Sequence, residues 1–64
     1  MTAHEKFKIG DRVEMTHRNP FQGSRLGTAV GFCRDKNLVK VRRNGERFIE
    51  FWDMSFWRKR RTSH

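Results

Sequence analysis

Apolar and polar residues along this chain alternate in short runs with a period of two, which predicts half-buried strands rather than amphipathic helices. The longest such stretch is residues 37–51, NLVKVRRNGERFIEF, where two alternating runs flank Asn44-Gly45. Asn-Gly is the strongest short hairpin signal, because a type I′ turn needs positive φ at both central residues. With those two residues as the loop, Arg43 opposes Glu46, Arg42 opposes Arg47, Val41 opposes Phe48 and Lys40 opposes Ile49. Directly opposed residues share a face of the sheet. Val39, Val41 and Phe48 therefore form a core face, and Lys40, Arg42 and Arg47 form a basic face with Ile49 and Phe51 among the cations.

The flanking segments continue the pattern. Residues 1–6 are polar and predicted to be disordered. Phe7 and Ile9 lie on one side of a short run that ends in a Gly10-Asp11 turn. Arg12-Val13-Glu14-Met15-Thr16 alternates, with Val13 and Met15 inward. Residues 17–25 (HRNPFQGSR) have turn chemistry throughout and predict a long first loop. Residues 26–33 (LGTAVGFC) form a strand with Gly27 and Gly31 at same-face positions, as at a barrel corner. A polar turn at 34–37 leads into the hairpin. Asp53 to Phe56 suits one 3-10 turn, and Phe56-Trp57-Arg58 a last short strand. The expectation is an all-β fold: a small five-stranded barrel over residues 7–58, with residues 59–64 as a basic flexible tail.

Composition narrows the partners. Sixty-four residues make one small domain, which buries only about 60% of its unfolded surface. Fifteen Lys and Arg against seven Asp and Glu leave a net charge of +8, which favours polyanions: nucleic acid, an acidic protein surface or anionic lipid. Cys33 is the sole cysteine, so no intrachain disulfide forms and a reducing cytoplasm is expected. No apolar run reaches membrane-spanning length, and residues 1–6 lack the apolar centre of a signal peptide.

Three motifs, Phe7-x-x-Gly10-Asp11-Arg12-Val13, Gly27-Thr28-x-Val30-Gly31 and the Val39-x-Val41 hairpin, resemble the SH3-like barrels of the KOW and small bacterial or phage type. That resemblance implies an SH3-like barrel and, by analogy, contact with RNA and ribosomal partners. A fold this widely reused carries little information about activity. Residues 7–13, Phe21-Gln22-Gly23 and Val30-Gly31-Phe32 also resemble the plasmid-borne type II dihydrofolate reductase, a homotetrameric SH3-like barrel. The family's pore is lined by a Val-Gln-Ile-Tyr stretch. Phe48-Ile49-Glu50-Phe51 stands there instead, so the Gln and Tyr that meet cofactor and substrate are missing. The basic residue after that family's first strand is missing too, with Met15-Thr16 in its place.

Candidate chemistry reduces to one face and one tail. Arg42 and Arg47, opposed, would repel unless an anion lay between them. Lys40 adds a third cation, and Phe51 could stack a base. Arg58, Lys59, Arg60 and Arg61 would add long-range attraction. The plain alternative is a solvated sheet face and a solubilising tail. Cys33 with His4 or His17 has no nucleophile signature, and Trp52, Phe56 and Trp57 read as core. His4, His17, His64 and Cys33 have no metal-ligand spacing. The carboxylates form no acid–base pair, and no phosphate-cradling glycine loop opens onto a helix. The sequence thus predicts a non-enzymatic nucleic-acid-binding module without metal or cofactor. The competing readings are a module docking an acidic protein surface, with the Pro20-Phe21 loop as contact, and a reductase-like oligomer with an altered pore.

Overall fold

The computed structural model describes residues 2–16 and 23–60. In chain order these form α1 (Ala3–Lys6), β1 (Arg12–Met15), β2 (Leu26–Phe32), β3 (Leu38–Arg43), β4 (Glu50–Asp53), a 3-10 turn (Met54–Phe56) and β5 (Trp57–Lys59). All pairings are antiparallel, and the five strands make one sheet in the order β4-β3-β2-β1-β5. The all-β class, the five strands and the 3-10 turn before the last of them agree with the sequence expectation. Most of the predicted first loop, residues 17–22 with the Pro20-Phe21 pair, lies outside the described residues, as do residues 61–64.

Chain connectivity forces the sheet to curl. Laid flat, four inter-strand gaps would put β4 and β5 about 19 Å apart. Only the three residues of the 3-10 turn join them, and a 3-10 helix rises about 2 Å per residue. The edges must therefore bend toward each other. The turn is held from both sides: the Met54 N–H donates to the Asn37 carbonyl at 2.7 Å, and the Thr16 N–H donates to the Phe56 carbonyl at 2.9 Å. Asp53 caps it by accepting from the Ser55 N–H at 2.9 Å.

The inside of the curl is the core. Alternation puts Val13 and Met15 of β1, Ala29 of β2, Val39 and Val41 of β3 and Trp57 of β5 on one face, all buried. Trp52 meets Trp57 edge-on at 5.8 Å between centroids and Phe56 at 5.4 Å, offset geometries favoured by the ring quadrupole. Phe7 and Ala3 are buried with this cluster. Residues 1–6 were expected to be disordered, yet Ala3–Lys6 makes a helical turn. Its Ala3 N–H donates to the Lys36 carbonyl at 2.7 Å, and the Lys6 ammonium donates to the Met54 carbonyl at 2.9 Å. Ile9, expected beside Phe7, is instead 69% exposed, because it occupies the turn that ends at Gly10.

Two further expectations need correction. The ladder between β2 and β3 slips between Ala29 and Gly31, and a bulged residue reverses the alternation that follows. Gly27 therefore pairs with inward Arg43 while Gly31 pairs with outward Lys40, so the two glycines lie on opposite faces. Gly27 permits close strand approach, since a Cβ there would sit 2.9 Å from the Arg42 carbonyl oxygen.

The hairpin is the second. The Glu46 N–H does donate to the Arg43 carbonyl at 2.9 Å, so Asn44-Gly45 is the turn. Only Gly45 has positive φ, +85°, and Asn44 does not. A turn left-handed at its second central residue alone is not type I′ and splays the strands it joins. Residues 46–49 accordingly stay outside the ladder, and pairing resumes with Val41 opposite Glu50 and Lys40 opposite Phe51. This register is displaced by two residues from the predicted one. A two-residue slip keeps every side chain on its face, so Phe51 does share the outer face with Lys40. Phe48, expected in the core, is 76% exposed.

Candidate nucleic-acid interface

The outward positions of four neighbouring strands fall into transverse rows. On β1, Arg12 and Glu14 alternate with buried Val13 and Met15 and so point away from the core. Arg12 is opposite Thr28 of β2, and Thr28 is opposite Arg42 of β3. On the other side of β1, the Arg60 N–H donates to the Arg12 carbonyl at 2.9 Å, extending the β1–β5 register by one pair. The result is a row Arg60–Arg12–Thr28–Arg42 on the outer face. At normal strand spacing it runs about 14 Å.

Thr28 is the only non-cationic residue in this row, and its short side chain leaves room for the long arginines on either side. Arg12, Thr28 and Arg42 line a hollow of about 320 Å³ together with the turn at 43–46. Glu46 is the one acidic residue there, and no carboxylate lies within ion-pair distance of Arg12, Arg42 or Arg60 among the described residues. Guanidinium groups stay charged at any physiological pH and present planar donor forks suited to phosphate oxygens.

The row beside it holds Lys40 and Phe51. These are opposed across β3 and β4, and the Lys40 ammonium lies 5.7 Å from the centroid of the Phe51 ring. Phe51 is 63% exposed, and Phe48 and Ile49, in the excursion just before β4, are exposed as well. An exposed cation–π contact contributes about 0.5–1 kcal/mol, less than the roughly 1–3 kcal/mol of a nucleic-acid base stacked on the same ring.

The sequence-predicted site residues are thus partly reunited and partly dispersed. Lys40, Arg42 and Phe51 share the outer face. Arg47 does not oppose Arg42; it lies in the 46–49 excursion, and the repulsive pair that first drew attention to this face does not exist. Arg58 is held by the Glu14 carboxylate at 2.9 Å and Lys59 by Asp11 at 3.4 Å. Both belong to β5, and Lys59 is therefore not part of a tail. Arg60 joins the row, and Arg61 lies outside the described residues. Sequence reasoning missed Arg12 and Thr28. Their outward parity was readable in the alternation, but their adjacency to Arg42 depends on strand order, which alternation does not encode.

Arg43, next in the chain to Arg42, points inward and is buried. Its Nε lies 2.8 Å from Glu50 Oε1, and its Nη2 donates to Glu50 Oε2 at 3.1 Å. The Trp52 indole N–H donates to Glu50 Oε1 at 3.0 Å. Gly23 packs on the same guanidinium, where a Cβ would meet Nη1 at 2.8 Å. Glu50 is therefore committed to structure. Asp53 has its carboxyl held below the ordinary value, chiefly by the Ser55 backbone N–H. No group of three or more His, Cys, Asp or Glu suited to a metal ion occurs among the described residues. No helix among them is long and apolar enough to cross a membrane.

No protein-family model, curated protein or solved structure matches the chain.

Proposed function

We propose that this protein is a non-catalytic module that binds nucleic acid through its sugar–phosphate backbone. The observation that carries the reading is the row Arg60–Arg12–Thr28–Arg42, three cations on one face with no carboxylate paired to them among the described residues. Like charges gathered in one row, with only Glu46 lining the hollow beside them, raise the free energy of the unbound protein. A polyanion relieves that repulsion, and each phosphate contact releases condensed counterions. Arg58 and Lys59 are engaged by Glu14 and Asp11, whose charges offset theirs locally, so they add mainly long-range attraction. The resemblance to KOW-type SH3-like barrels supports the same partner by analogy. A reductase role lacks support, because the stretch matching that family's pore holds Glu50, which is engaged by Arg43 and Trp52. With its single, half-buried Cys33, such a module suits the cytoplasm.

The test is the salt dependence of binding to a single-stranded oligonucleotide. Three phosphate contacts predict a log–log slope of about −2, since each contributes about −0.7. Arg12→Ala and Arg42→Ala should each flatten that slope by about 0.7 and weaken all sequences alike. Slopes that stay at the parental value in both variants would remove the row from the interface. Failure to bind any nucleic acid at low salt would put the acidic-protein reading first.

A further inference from the structure

We infer that the nucleic acid taken by this face is single-stranded, with one base stacked on Phe51; this rests on the reading of the arginine row as a phosphate track. Arg42 and Lys40 are two residues apart on β3 and point the same way, so the row of Lys40 and Phe51 lies about 7 Å from the arginine row. That is on the scale of one nucleotide step, and a backbone following the arginines toward β4 delivers its next base to the Phe51 ring. The ring is well exposed, on a strand at the edge of the sheet. Its Lys40 contact is weaker than a base stack, so an arriving base displaces the ammonium and leaves it for the adjacent phosphate.

The shape of the sheet makes the same choice. The core fills the inside of the curl, so the arginines and Phe51 lie on its outer, convex side. Duplex DNA is stiff over about 150 base pairs and touches a convex body of this size along a short line only. It also keeps its base faces stacked internally, so the Phe51 ring would meet phosphates or nothing. A single strand bends around the face and offers an unstacked base to Phe51.

Three dye-labelled probes of equal length test this by anisotropy titration: a single-stranded DNA oligonucleotide, its duplex, and a single strand of abasic sites with the same phosphates. The native chain is expected to prefer the single strand over the duplex by about tenfold or more. Phe51→Ala should weaken single-strand binding by roughly 5- to 150-fold, leave the abasic strand unchanged and leave the salt slope intact. Thermal melting of the variant confirms that it is folded, and Phe51→Trp, which keeps a stacking face, should restore binding. Equal affinity of Phe51→Ala and the native chain for the single strand overturns the inference, as does a duplex bound as tightly as the single strand. In either case, weakened binding by Arg42→Ala leaves the backbone reading standing. Loss of that arginine dependence on all three probes removes the backbone reading as well.

Discussion

Arg42 and Arg43 are neighbours in the chain and opposites in circumstance. Arg43 faces the inside of the curled sheet, gripped by Glu50 through two of its nitrogens, with Gly23 packed on its guanidinium and Trp52 sharing the same carboxylate. Arg42 faces outward, across Thr28 from Arg12, in the hollow that Glu46 also lines, and among the described residues no carboxylate lies within ion-pair distance of it. A buried guanidinium is tolerable only when its charge and donors are met. An exposed one keeps its water until a better anion arrives. The net charge of +8 therefore says less than the direction in which each cation leaves the pleat: one side of β3 spends its arginine on the fold, and the other presents it.

The sharpest way to break this contrast is to delete each arginine in turn. Arg43→Ala leaves Glu50 without its counter-charge, and a broken buried pair costs about 3–5 kcal/mol. Glu50 retains about a third of its surface in water, so the expected loss here is nearer 2–3 kcal/mol, read as a lower midpoint in urea at unchanged slope. Arg42→Ala should change stability by less than about 0.5 kcal/mol. Equal losses from both would mean that the two sides of β3 do not differ.

A smaller effect comes from the turn that follows both arginines. Gly45 has a φ of +85° and open space around its missing Cβ, so Gly45→Val adds backbone strain without a clash, about 1–2 kcal/mol. Because residues 46–49 already stand clear of the ladder, the loss should appear in thermal melting without altering Arg43 or Glu50. A melting temperature within error of the parent would remove the left-handed residue from the turn.

The smallest expected effect is electrostatic. The Asp53 carboxylate is favoured in the folded chain by the Ser55 N–H, so its folded pKa lies below the unfolded one. The stability it contributes is fully present above about pH 4 and is lost as the pH falls through the folded value. Asp53→Asn should make acid unfolding slightly less steep over that window. An identical acid profile would detach the cap from the stability of the 3-10 turn.

What could be read from sequence follows the same inside–outside division. Val13, Met15, Val39, Val41 and Trp57 were legible as core because alternation with a period of two records burial on one face. Lys40, Arg42 and Phe51 were legible as outer for the same reason, and that assignment survived a two-residue error in register. The register was misread because Asn44 does not take the left-handed conformation that its pairing with Gly45 suggests. The longer excursion brings Glu50 to Arg43 and sets Trp52 opposite Val39, while Phe48 goes to solvent. No local pattern announces that exchange. Arg12 and Arg60 were missed as partners of Arg42 because they meet it only through β1 and β2, across pairings distant in sequence.

The short link between β4 and β5 has a consequence for the order of assembly. The β2–β3 and β3–β4 pairs join segments close in the chain, whereas β5 must travel back to β1, where Val13 meets Lys59. Distant pairings of this kind form late, because their loop-closure entropy is met before their contacts are gained. Arg60 takes its place beside Arg12 only when that last strand docks. The complete cationic row is therefore expected to form only with the long-range docking of β5 on β1, not with the local hairpins.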